Sequence, residues 1–435
     1  MSNFMQQPIA DAAQRVPEWM RTLQARGRDL WRDTTLPTRR SERWKYTPLT
    51  ALRDDYRVAS PRDVAPAKLP ARLQAGLGGP RLVFVDGVFQ ESLSSQDLPA
   101  GLVLCRFSEA DAQQAERIAA HLDTTLDLAA HPFAALNSAA LADGVFVEIA
   151  AGADIAAPLE VLWLLRAAEN PLASTQRLLL LAGDNSRATL VEQFVSLDGA
   201  QPSFTNGLTE LQLGAGARLR HYRLHEESGD ALHIGGVHAR LERDAALDSF
   251  HLALGSRLKR LDLDVHHAGP GAHCDLNGVY LPRGEEHIDY HTTIEHAVPH
   301  CTSDEVFRGI VADRASAVFN GRIHIHPQAQ KTRAELSNKN LLTSADAEVN
   351  TKPELEIYAD DVQCAHGATV AQLDALSLHY LRTRGISRAE AEVMLSFGFI
   401  NELIEGVTLE PLRKYLRPLL AERFARSREL ARHLL

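Results

Sequence analysis

Two residues two apart, a cysteine and a histidine, carry the sharpest chemistry in this chain. In Pro353–Ala371, PELEIYADDVQCAHGATVA, Leu355-Glu356-Ile357-Tyr358 alternates as a strand, two aspartates follow, and Cys364-x-His366 precedes Gly367. Residues i and i+2 of a strand point the same way, with Cα atoms roughly 6.6 Å apart. A thiolate and an imidazole placed so can lean toward one soft metal or cluster. Two ligands do not close a four-coordinate structural site. An iron–sulfur centre commonly takes four protein ligands, with His able to replace Cys. The missing ligands must then come from elsewhere in the fold or from another chain, and so open a shell suits a site that assembles and releases its metal. The structural alternative is a buried Cys beside a hydrogen-bonded His. Asp360 and Asp361 would oppose thiolate formation at Cys364 if they face the same side.

Ten of the 19 histidines fall between His266 and His366, with three of the four cysteines. His287 and His291 share a strand face, as do His324 and His326. Such pairs present imidazoles to a metal, as in an oxygenase with two His and a carboxylate, or else fill the solvated outer face of a β fold. A metal-dependent β-fold enzyme using His287, His291, His324 or His326 is therefore the alternative reading. It expects a concave pocket lined by those residues.

Other chemistries are pruned. G-x-x-x-x-G-K-[ST] is absent, with no Gly-Lys pair anywhere, so this chain binds no nucleotide through a P-loop. G-x-S-x-G and H-E-x-x-H are also missing. With 46 Lys+Arg against 56 Asp+Glu over 435 residues, the net charge of −10 argues against nucleic-acid binding. Apolar runs such as Val161–Leu165 fall far short of the ~18 residues needed to span a bilayer, so no membrane is expected. Met1–Ala10 has no signal-peptide pattern, and the scattered cysteines make no disulfide framework; a cytoplasmic chain with reduced thiols is expected.

Three zones must position these residues: 1–142, 143–372 and 373–435. In the first, Ala10–Trp31 carries a rough helical stripe, Arg81–Phe89 (RLVFVDGVF) reads as a hairpin, and Glu109–Leu128 and Pro132–Leu141 read as helical. Trp44 and Tyr46, among the charges of Arg39–Leu49, are expected to dock on the core. The second zone is a ladder of short strands: Val145–Ile149, Leu159–Leu165, Arg177–Leu181, Thr189–Phe194, Leu208–Leu213, Leu219–Leu224, His233–Leu241, Leu247–Leu254, Arg260–His266 and more. Its turns lie roughly 26–33 residues apart, a solenoid-like period. No helix-length stretch interrupts the strands, which favours a β-helix over a βαβ sheet. Asn206-Gly207, Asn277-Gly278 and Asn320-Gly321 are hairpin-type dipeptides that would suit a sandwich instead.

The third zone is helical. Ala375–Arg384 stops at Gly385, and Ser387-x-x-Glu390 is a capping box opening a helix to about Glu405. Gly406 ends that helix, and Pro411–Leu435 makes the last one. Met394, Phe397, Phe399, Ile400, Leu403 and Ile404 spread over more than one face, so a bundle capping the solenoid end, or a partner, must cover them.

Together, Arg43-Trp44-Lys45-Tyr46-Thr47, Ser337–Leu342 (SNKNLL), and Pro353–Asp374 leading into Tyr380–Ile386 (YLRTRGI) resemble the SufD family of the SUF iron–sulfur cluster assembly scaffold. The resemblance covers nearly the whole chain and is strongest from about Leu336 to Glu405. It implies a mainly β fold, a right-handed parallel β-helix core flanked by helical N- and C-terminal domains. It further implies a non-catalytic subunit that pairs with the paralogue SufB and docks one SufC ATPase on its C-terminal helices. Tyr380, Arg384, Met394, Phe397, Phe399 and Leu403 fall in that docking region. A transient iron–sulfur cluster would form at the SufB interface, with Cys364 and His366 as this chain's ligands in the D-D-V-x-C-x-H-G-A-T motif. A homodimer is the alternative assembly of the isolated chain. The first 80 residues hold no cysteine, and Gly367-Ala368-Thr369 stands where SufB often has E-A-T; both features favour the SufD side of the family.

Overall fold

The computed structural model describes residues 4–59, 64, 68–95, 97–166, 170–197 and 202–424. Successive strands from Val145–Ile149 to Gln363–Gln372 alternate between two sheets, and each pairs in parallel with the strand two further on. The ten-stranded sheet ends at Gln363–Gln372 and the nine-stranded sheet at Glu348–Ile357. One coil takes 29 residues in the middle of the stack, within the turn spacing seen in the sequence. The fold is a parallel β-helix, because each strand's partner lies a full coil away rather than across a hairpin.

The Asn-Gly dipeptides therefore do not turn the chain. Each lies inside a strand: Ser203–Leu213, His273–Leu281 and Ser316–Ile325. Their glycines make room for rings and methyls stacked on the neighbouring coil or beside them. A Cβ on Gly278 would stand 2.2 Å from the Phe307 ring, its register partner, and one on Gly321 would stand 2.5 Å from Leu336. Gly278→Ala is accordingly expected to destabilise the fold by about 1–3 kcal/mol through overpacking, read as a lower denaturant midpoint.

The N-terminal zone is joined to the solenoid rather than appended to it. Arg81–Val85 makes the expected hairpin with Val88–Phe89 but also pairs in parallel with Leu159–Leu165, and Leu102–Arg106 pairs with Val145–Ile149. Pro17 splits the expected first helix into Gln6–Ala13 and Glu18–Asp33, since Pro lacks the amide a helix interior needs. The expected Glu109–Leu128 helix shortens to Ala112–His121, opened by an Asp111/Gln114 capping box, and Pro132–Ala139 is buried along its length. Of the two aromatics in Arg39–Leu49, Trp44 docks, against Phe133 and under the Arg260 guanidinium at 4.6 Å, while Tyr46 stays 41% exposed.

The three C-terminal helices, Ala375–Thr383, Arg388–Glu405 and Glu410–Phe424, begin and end as the caps dictate, with Gly385 at φ 84° and the Ser387/Glu390 box formed. Residues of the expected last helix beyond Phe424 lie outside those described. These helices do not cap the solenoid end. Ile400, Ile404, Leu412, Leu416 and Leu420 pack on Tyr222, Leu224, Phe250, Leu252, Val279 and Leu281, on the outer face of the ten-stranded sheet. The outer side of that sheet is apolar there, so it needs cover. Among the described residues, no helix is long and apolar enough to cross a membrane.

Candidate metal centre at the open end of the solenoid

Cys364 stacks on Ala334, and His366 on Leu336. Both partners are inward-facing and at most 2% exposed, so Cys364 and His366 continue two inward columns onto the last coil. Among the described residues, no further strand follows in either sheet. Cys364 is half-buried against the core cluster and His366 is exposed. A thiol and an imidazole thus stand at the rim of an uncovered end, on the side toward which both sheets face.

Burial pushes the Cys364 thiol up from its ordinary value, partly offset by the backbone at Ala334. The aspartates are not the cause: Asp361 pairs with Lys331 in the turn. A metal arriving here must displace the thiol proton, so its affinity falls as pH falls. The same columns, two coils inward, hold Ser303 and Glu305. Burial raises the Glu305 carboxyl to about 8, while Thr292 donates to it at 2.6 Å.

The four histidines of the alternative reading do not gather. His287 and His291 share a face, but they flank Asp289, which pairs with Arg260 and accepts from Thr47 of the N-terminal segment. A cleft beside His287 is lined by Tyr46, Ser316, Glu348 and Asn350, and its lining includes none of His291, His324 or His326. His324 and His326 stack at 4.3 Å near Glu295, a two-histidine, one-carboxylate set. Arg322 already occupies it, with Nη2 donating to His324 Nδ1 at 3.2 Å and the guanidinium 3.8 Å from Glu295.

Many histidines also proved not to be solvated outer-face residues. His221, His225, His233, His251, His267 and His296 are fully buried. Burial holds His225, His251 and His267 well below the ordinary imidazole value. Burial would raise Glu192, yet Arg223, His221 and Thr209 outweigh it and hold it at about 2. Strand alternation could have flagged such inward polar positions, but only after deciding which face was inside.

On the C-terminal helices, Tyr380 is 55% and Met394 41% exposed, and Arg384 stacks on Tyr380 at 4.5 Å. Phe397, Phe399 and Leu403 are half-turned into the flank cluster, Phe397 against Phe424.

The structure is thus a parallel β-solenoid, open at the end where Cys364 and His366 stand and covered by helices along one flank. Residues 164–399 match the SUF system FeS cluster assembly, SufBD core domain, and residues 3–161 match the SufBD protein N-terminal region. The chain belongs to the SufBD family, and its role lies in SUF iron–sulfur cluster assembly. It is 33% identical over 396 residues to the iron–sulfur cluster assembly protein SufD of Escherichia coli, covering 90% of each chain. It is 32% identical over 403 residues to an iron–sulfur cluster assembly SufBD family protein of Synechocystis sp., covering 89% of this chain and 88% of the other. SufD of Bacillus subtilis is 27% identical over 290 residues, 66% of this chain and 65% of its own.

Proposed function

We propose that this chain is a non-catalytic, cytoplasmic scaffold subunit that pairs through its open solenoid end with a SufB paralogue and presents its C-terminal helices to a SufC ATPase. The observation that carries the reading is the open end itself. Among the described residues, the outer edges of Glu348–Ile357 and Gln363–Gln372 have no strand partner, and an unpaired edge is a template for another chain. Ile357, Tyr358 and Val370 there are 41%, 61% and 45% exposed. A partner abutting this rim would complete the ligand set that Cys364 and His366 begin, around a transient cluster shared between the two chains. A second copy of this chain is the alternative occupant. The three sequence zones, 1–142, 143–372 and 373–435, are the working parts of this proposal.

In this reading the exposed Tyr380, Arg384 and Met394 are contacts to the ATPase, and Phe397, Phe399 and Leu403, half-buried in the flank cluster, hold the helix that carries Met394. Substituting Tyr380→Ala together with Met394→Asp is expected to weaken capture of the ATPase by at least about tenfold, as for central aromatic contacts, with thermal stability unchanged. The direct test is a pull-down of tagged chain from its native lysate with stoichiometry read by mass spectrometry. A P-loop ATPase and a longer paralogue are expected. Recovery of the chain alone, with neither a P-loop ATPase nor a paralogue, would sink the scaffold reading.

A further inference from the structure

A second metal-ligating group lies inside the solenoid, away from the mouth. His267 ends one strand of the nine-stranded sheet and His296 ends the next; the two are register partners in inward positions. Cys301 sits in the following turn, just before Thr302–Val311. All three are 0% exposed. One donor atom from each lies within 4.8 Å of the others. We propose that His267, His296 and Cys301 form a buried binding site for a thiophilic late first-row transition-metal ion, with zinc(II) as the probe.

Three observations support it. First, the donor set of two imidazoles and one thiol is that of zinc and its neighbours rather than of calcium or magnesium. Second, Nδ1 of His267 and Nδ1 of His296 are 2.9 Å apart, while His296 Nε2 meets Ser303 Oγ at 3.0 Å. Two nitrogens in a tetrahedral zinc shell stand about 3.3 Å apart, so a shift of a few tenths of an ångström suffices. Third, Cys301 is a free, buried thiol that donates to the carbonyls of Gly269 at 3.5 Å and Pro299 at 3.7 Å. Burial raises it above its ordinary value, partly offset by the backbone N–H groups of Ala272 and Gly271, so an ion must displace its proton.

The protons balance. With His296 Nε2–H donating to Ser303, His267 Nδ1–H donates to His296 Nδ1, and His267 Nε2 is a bare lone pair. An ion binding both Nδ1 atoms displaces the shared proton, which His267 Nε2 takes up, and the Cys301 thiol proton leaves to water. One proton is released per ion. Three protein ligands leave one position of a tetrahedral shell open. Ser303 stands two steps below Cys364 in one column, so a filled site would tie successive coils together beneath the mouth without using its ligands.

The experiment uses the full chain carrying Cys364→Ser and His366→Ala, so that the rim pair does not contribute. It is refolded with zinc, dialysed, and its zinc measured by mass spectrometry; a parallel sample is loaded with cobalt(II). About one zinc per chain and a thiolate-to-cobalt charge-transfer band are expected. Adding Cys301→Ser should abolish the band and weaken zinc retention at least about tenfold. Absence of zinc and of the band in the starting variant overturns the site, as does equal retention with Cys301→Ser. If that variant fails to fold, the cobalt spectrum of the starting variant still decides. Because the rim ligands are absent throughout, the outcome is independent of the scaffold reading.

Discussion

Replacing His366 by Ala, or Cys364 by Ser, is expected to lower the cluster content of the assembled complex at least about tenfold while leaving the fold as stable as before. Even outer-shell changes at metal sites cost about 10–100-fold, and here a direct ligand is removed from a shell that is already open on this chain. The folding cost is small because the pair stands on the last coil, half-buried and exposed respectively. Surface changes of that kind usually stay within about 0.5 kcal/mol. The check is iron and sulfide per complex, with the denaturant midpoint measured alongside. Unchanged cluster content in both variants would mean that the solenoid is an adaptor only. A lower midpoint would instead mean that the pair is structural. For Cys364 a pH dependence adds a further reading. Its thiol is raised by burial, so iron binding through it should weaken as pH falls below neutrality, with protons competing for the sulfur.

Arg177→Met should produce the largest loss of stability, about 3–5 kcal/mol, because it leaves buried carboxylates without their counter-charge. Arg177 is fully buried, with Nη2 donating to Asp123 and, at 2.5 Å, to Glu210; Nη1 donates to Asn137 at 3.2 Å. Asn137 in turn donates to the carbonyls of Gln176 and Asn206. One guanidinium thus ties the loop at Asp123 and the helix Pro132–Ala139 to the nine-stranded sheet. Burial alone would raise Glu210, but Arg177, Thr125 and the Asp123 backbone outweigh it, and its folded value lies below the ordinary one. The sign of the linkage follows. A depressed carboxylate contributes stability above its unfolded pKa and loses it as pH falls through the folded one. The wild-type chain should therefore weaken on acidification below about pH 4.5, and the variant should show a shallower acid dependence. A denaturant titration at neutral pH and again in acid measures both. A midpoint unchanged by Arg177→Met would show that the two carboxylates find other partners or take up protons at no cost.

Strand alternation alone was enough to place Cys364 and His366 on one side, since that follows from local geometry with period 2. The capping box at Ser387, the stop at Gly385 and the coil-length spacing of turns were legible for the same reason: each depends on a few neighbouring residues. Asn277-Gly278 misleads because its local preference is for a turn, whereas the Phe307 ring one coil away needs the space a side chain would fill. Local preference yields to packing there. His267, His296 and Cys301 were visible as residues, but nothing near them in sequence says that they meet. Their meeting depends on the register of coils 29 residues apart, a long-range quantity. The same holds for Arg177 and its two carboxylates, and for the helices Arg388–Glu405 and Glu410–Phe424. Those helices cover a flank because the outer face of the ten-stranded sheet is apolar at Tyr222, Leu224, Phe250 and Leu252.

What the sequence by itself determined is a ladder of stacked strands, the caps of the terminal helices, and a thiol–imidazole pair facing one way. Only the tertiary structure decided that this way is inward, that among the described residues no coil covers it, and that the buried His267 and His296 meet in the interior beneath it. Alternation names two faces, but only the closing of the coils against each other makes one of them the inside.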